Sequence, residues 1–297
     1  MLYGMRPAKR EDKNMWVWLV LLYGLLKGGR EIVKKKSMEK SSVMEVLFFY
    51  TLISFIFVLP TIPKVGGVGA RDMLLISFKS LIIFTAWLLS FRAIKQMPVS
   101  LYGILDLSRV LFSTLLAMIL LNDIPGINGF IGLSLVCLGL FLCNRKKNLN
   151  NEKVKTKIVI FAFISSFLNA VSGVMDKILT QTVNDTQLQF WYMLFMVLYY
   201  IIYILITRTK IDFVKSVKNY WIWILAIMFV IGDKALFIAN GIDASRASVM
   251  TLIKQSCCIV TIIAGRVVFK EKNIKFKLFC ALIIVTGIVI ATVPAFI

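Results

Sequence analysis

Residues 144–157 read NRKKNLNNEKVKTK. This is the longest polar stretch of a chain that is otherwise mostly apolar, and it falls at the middle. On both sides lie apolar runs long enough to cross a bilayer, which takes about 20 residues in a helix. Before it they are 15–34, 42–60, 72–94, 98–121 and 125–143; after it they are 157–180, 186–207, 219–240, 247–269 and 275–296. Most are apolar all round, as lipid-embedded helices are. None keeps the period-two alternation of a barrel strand. The expectation is an all-α membrane protein of ten transmembrane helices. Its parts are a charged tail at 1–14, a first five-helix unit at 15–143, a basic linker at 144–157 and a second unit at 158–297.

Composition agrees. Of 297 residues, 59% are hydrophobic and 17% charged, and the mean hydropathy is +0.84. A soluble domain is nearer half apolar and a quarter charged, and so apolar a chain would expose large patches to water. The net charge is +20. Most basic residues lie in short stretches between the apolar runs, where anionic lipid attracts them. They form no solvent-facing nucleic-acid patch, so no nucleic acid partner is expected. The five cysteines show no C-x-x-C spacing and read as small packing residues. The chain has no histidine, which removes imidazole metal sites and Ser-His or Cys-His nucleophile pairs. No metal and no cofactor are expected. The apolar run after the charged tail has no small-residue cleavage pattern and reads as a first membrane helix, not a removable signal.

The halves can be laid on one another. An offset of 148 pairs Val99-Ser100 with Ala247-Ser248, Asp106 with Lys254, Asp123 with Glu271 and Gly139 with Gly287. GGREIVK at 28–34 likewise resembles SGVMDK at 172–177. Five helices are an odd number, so the second copy enters the membrane upside down. The expected architecture is therefore two inverted-topology five-helix repeats, the arrangement that supports alternating access to a site at the midplane.

Charges inside the runs point to that site. An ionised group at the bilayer centre costs roughly 2.5–3.5 kcal/mol on insertion scales, and persists where it faces a cavity or a partner. Lys27 and Glu31 are four apart and can pair within the first helix; Asp106 and Arg109, three apart, can pair in the fourth. Asp176-Lys177 and Asp233-Lys234 are adjacent, so their members point about 100° apart and must reach other helices. Lys79 and Arg266 are expected to snorkel to the interface. Lys254 has no acid within four positions. As the repeat counterpart of Asp106 it is placed near the pseudo-twofold axis. Trp87 lies deep enough in the third helix to stack on a substrate, with packing as its plainer role. The candidate binding residues are Lys254, Asp106, Arg109, Lys234, Asp233, Trp87, Gln255, Lys27 and Glu31. The candidate ion-coupling acids are Asp106, Asp176 and Asp233.

Over nearly its whole length the chain resembles the EamA family of the drug/metabolite transporter (DMT) superfamily. The resemblance rests on YGLLKGGREIVKKK at 23–36, PVSLYGILDLSR at 98–109, LLNDIPG at 120–126 and GLSLVCLGL at 132–140. In the second half it rests on SGVMDK at 172–177, RASVMTLIKQ at 246–255, VVFKEKN at 267–273 and ALIIVTGIVI at 281–290. Asn122-Asp123 stands where the family usually has Glu. The resemblance implies a secondary transporter with helices three, four, eight and nine along its pathway. It implies a multi-pass protein of the cell (plasma or inner) membrane, a small-molecule substrate and a lipid bilayer as surroundings. A monomer suffices, and a homodimer is compatible.

The mixed intramembrane charges favour a polar or charged metabolite. A lipid or lipid-headgroup flippase on the same fold is the alternative. An enzyme is not expected, because no nucleophile, metal motif or carboxylate pair at a recognisable spacing emerges. A channel would need a carbonyl-rich filter loop, and none is visible. With the termini cytoplasmic, as the family has them, that side carries seven basic residues and the other nineteen. The Lys/Arg rule taken alone puts both termini outside.

Overall fold

The computed structural model describes residues 15–121, 127–149, 154–242, 250, 253–254, 257–271 and 273–292. The described residues are helical almost throughout. The elements are α1 (Met15–Lys40), α2 (Val43–Val58) with a 3-10 turn (Leu59–Lys64), α3 (Ala70–Gln96), α4 (Val99–Asp106), α5 (Ser108–Leu121) and α6 (Ile127–Leu149). They continue with α7 (Thr156–Thr182), α8 (Asp185–Thr207), the short α9 (Phe213–Val217), α10 (Tyr220–Asn240), α11 (Cys257–Phe269) and α12 (Ile274–Thr292). Among the described residues, five helical stretches are long and apolar enough to cross a membrane: Val43–Lys64, Ala70–Gln96, Thr156–Thr182, Asp185–Thr207 and Tyr220–Asn240. Ile127–Leu142 and Cys257–Phe269 are shorter apolar helices. α1 carries Lys27, Arg30, Glu31 and Lys34 within its length, which lowers its hydropathy.

Local chemistry sets the helix ends. Ser42 and Glu45 form a reciprocal capping box at the start of α2, and Asn184 and Gln187 do the same for α8. Each box satisfies two backbone donors that the first turn leaves without partners. Pro60 and Pro63 follow α2, where the chain tightens into the 3-10 turn.

The run expected as one helix over 98–121 is two. It breaks at Leu107, where Leu107 N donates to Ile104 O and Val110 N to Leu107 O. These are i→i+3 bonds, the tighter 3-10 geometry that often marks a functional hinge inside a longer helix.

Packing follows a pattern of exchanged partners. α1 lies on α10, and α7 on α3; α1 also meets α11, and α7 meets α4 and α5. α2 packs on α10 and α3 on α8, while α2 meets α8, α4 meets α11 and α6 meets α12. The centre is aromatic, with Tyr50, Phe91, Tyr200 and Phe229 almost wholly buried. Large apolar side chains such as Trp18, Leu74, Leu205 and Ile206 stand on the outside, as a lipid-facing surface requires.

Candidate functional site

Lys27, Arg30, Glu31 and Lys34 recur at i, i+3, i+4 and i+7, so they form one stripe of α1. The stripe faces inward: Lys27, Arg30 and Glu31 are buried. Gly28 and Gly29 sit between them. A Cβ at Gly28 would lie 2.6 Å from Val260 and 2.9 Å from the Cys257 carbonyl. One at Gly29 would lie 2.6 Å from Met228. Without side chains there, α10 and α11 close onto α1, and its charges reach groups on other helices.

Lys27 Nζ donates to Asp106 Oδ2 at 2.6 Å. Asp106 is the last residue of α4, at the break. Its Oδ1 accepts from Arg109 at 3.1 Å and from Ser166 of α7 at 3.4 Å. Arg30 pairs with Asp233 of α10 at 3.2 Å and lies over the rings of Tyr23 and Phe229. Lys79 lies 3.0 Å from Asp176 of α7, with its ammonium 3.8 Å from the Tyr192 ring centroid. Both arrangements couple an ion pair to a cation–π contact in a desolvated setting, where each is strengthened.

Trp87 stands in the aromatic wall beside these pairs, 5.3 Å from Tyr50 and 5.2 Å from Phe229 between ring centroids. Lys254 is half-buried. The charges acting on it are those of Asp176, Arg109, Lys27 and Asp233, and among the described residues it forms no ion pair within 4.0 Å. The structure thus gathers Lys27, Asp106, Arg109, Asp176, Asp233, Lys254 and Trp87 into one interior region.

Several expectations change. Lys27 pairs not with Glu31 but with Asp106; Glu31 is held by Lys34 at 2.7 Å. The expected Asp106–Arg109 pair is present. Lys79 does not snorkel. It is 2% exposed, because it lies nine residues inside α3, too deep for its stem to reach the interface. Lys234 is not part of the cluster: it pairs with Asp185 at 2.5 Å and donates to Thr186, at the start of α8 and partly exposed. Gln255 lies outside the described residues, as does the side chain of Lys177. Arg30, Lys34 and Lys79 join the cluster without having been singled out as binding residues. The inward stripe of α1 was the available signal for Arg30 and Lys34, and depth in the helix for Lys79.

The comparisons with known proteins bear on this arrangement. The sequence pattern of the EamA-like transporter family matches residues 14–145 and again 156–293. A solved crystal structure superposes with a TM-score of 0.64 over 94% of this chain and 97% of its own, at 12% identity. That likeness is one of fold. Among curated proteins there is no match.

Proposed function

Because the chain belongs to the EamA-like transporter family, and is therefore a multi-pass membrane transporter of the DMT type, we propose that it carries a small anionic or zwitterionic metabolite by alternating access. The proposed frame is ten spans arranged as two inverted five-helix repeats in the cell membrane, driven by an ion gradient.

The carrying observation is an excess of positive charge among the described interior residues. Lys27, Arg30, Lys34, Lys79, Arg109 and Lys254 face Glu31, Asp106, Asp176 and Asp233. Asp106 is shared by Lys27 and Arg109, and Lys254 has no acid of its own among the described residues. Among the described residues Arg109 Nε makes no hydrogen bond, and its side chain is 24% exposed. A carboxylate or phosphate between Arg109 and Lys254 would neutralise the surplus, with a guanidinium fork for geometry. The break at Leu107 supports the same reading, since discontinuous helices form midplane sites in transporters of this kind. Asp106, Asp176 and Asp233 are the proposed coupling acids; the cations on the last two, Lys79 and Arg30, come from the other half and would be displaced as the halves move.

The exchanged partners support the repeats. Equivalent helices make equivalent contacts: α1 on α10 mirrors α7 on α3, and α2 on α10 mirrors α8 on α3. Gly139 and Gly287, equivalent by sequence offset, meet each other's helices reciprocally. A Cβ at Gly139 would touch Ile284, and one at Gly287 would touch Leu135. Reciprocity of this kind is what a twofold axis imposes on an interface.

A thermal-shift screen of purified protein against carboxylates, phosphates, zwitterions and lipids tests the function, with Lys254→Ala in parallel. A ligand that binds the native state raises the midpoint by mass action. The expected result is stabilisation of the wild type, and not of the variant, by an anionic metabolite. Stabilisation only by neutral hydrophobic compounds would overturn the anion assignment. Stabilisation only by lipid would turn the reading to a flippase.

A further inference from the structure

We propose that Glu271 is a latch: its carboxylate holds the N-terminus of α4, closes one end of the pathway, and must let go for that end to open. The proposal rests on the alternating-access reading.

Glu271 follows α11 and belongs to the second half, yet the hydrogen bonds its carboxylate accepts come from the first. Its Oε1 accepts from Val99 N at 2.6 Å, and its Oε2 from Ser100 N at 3.2 Å and from the Ser100 hydroxyl. The opening amides of a helix lack partners within it, and its N-terminus carries partial positive charge. Pro98, the residue before α4, supplies no side-chain cap. The cap comes from Glu271, some 170 residues away.

Two further groups meet there. Lys277 of α12 lies 3.7 Å from Glu271 Oε2. Lys35 of α1 donates to the Met97 carbonyl at 2.7 Å. The segment Met97–Ser100 is thus gripped from α1 and from the end of α11, and Glu271 itself is faced by Lys277 of α12. The fit is close. A Cβ at Gly265 would lie 2.8 Å from Glu271 Oε2 and 3.2 Å from Ser100 Cβ.

α4 can transmit what happens at this grip. It has eight residues, about 12 Å at 1.5 Å per residue. The latch is at one end, and Asp106 with the Leu107 break is at the other. Such a segment is a lever hinged at the proposed site. Release at Val99–Ser100 lets α4 swing about Leu107, and the same swing loosens the Lys27–Asp106 pair. The repeat equivalents, Asp123 with Ala247-Ser248, lie outside the described residues.

The test measures opening without needing a substrate. Ile104, in the second turn of α4 and beyond the residues that Glu271 caps, is 0% exposed. In an Ile104→Cys background, maleimide labelling at that position is followed by mass spectrometry of the peptide, with and without Glu271→Gln. The amide keeps the size of the side chain but loses its charge and one acceptor. Gly265→Ala is a second variant, which leaves Glu271 in the chain and pushes it off Ser100. At least tenfold faster labelling in either variant is the expected result. A purely local cap would fray the first turn and leave Ile104 protected, so unchanged labelling in both variants overturns the latch. Because no solute enters the measurement, failure of the latch and failure of the proposed substrate are separate results.

Discussion

At the residue scale the molecule is organised by charges that find partners on other helices. Removing one member of a buried pair leaves the other uncompensated and costs about 3–5 kcal/mol, whereas replacing both by apolar groups is often neutral. Asp176→Ala should therefore destabilise the fold strongly, and Lys79→Met with Asp176→Leu should recover most of the loss. Unfolding midpoints in detergent would show both; equal loss in single and double variants would mean that the pair is not the source. The sequence made the charges visible but not their partners. Helical spacing says which residues share a face of one helix, and on that basis Lys27 was matched to Glu31. In the structure both stand on the inward stripe, and Asp106 of α4 captures Lys27. A partner 79 residues away leaves no trace in local spacing. Asp106–Arg109 was legible because both members lie within one turn.

At the element scale, the helical runs were legible from apolar length alone, and their interruptions were not. The break at Leu107 falls in GILDLSR, where no proline stops the helix. Its setting is tertiary: Asp106 is held by Arg109 and by Lys27 at the point where the backbone tightens. The short α9 also escaped notice, being a single turn started by the Asp212 cap. Close approach was legible only as a glycine in the right place. At Gly287 a Cβ would meet the Gly132 carbonyl at 2.6 Å and Leu135 at 2.8 Å. Gly287→Leu should separate α6 from α12, with an overpacking cost of about 1–3 kcal/mol or more. Gly173, in α7, has nothing within 4 Å of its Cβ position. There Gly173→Ala should stabilise by about 0.5–1 kcal/mol through helix propensity. Melting curves of the two variants should move in opposite directions; a fall for both would mean that glycine at 173 serves the helix some other way.

At the scale of the whole molecule, Arg30–Asp233 and Lys79–Asp176 join the halves with one polarity. The cation comes from the first half and the acid from the second. If the chain is cut within the polar stretch 144–157 and the two pieces are co-expressed, they should co-purify. Arg30→Asp should abolish that association, and adding Asp233→Arg should restore it. Pull-down through a tag on one half measures this, and failure of the charge swap would show that the pair does not select the partner. The same pair bears on biosynthesis. Lys27, Arg30 and Glu31 leave the ribosome in α1, well before α10, each with an insertion cost of a few kcal/mol. Arg30's acid is made 203 residues later. At 5–20 residues per second, that is a delay of roughly 10–40 seconds. During this interval α1 lacks the counter-ion that makes its burial tolerable. An α1 that stayed beside the translocon or at the membrane surface until α10 arrived would avoid that cost, and its insertion would then follow that of a helix made after it.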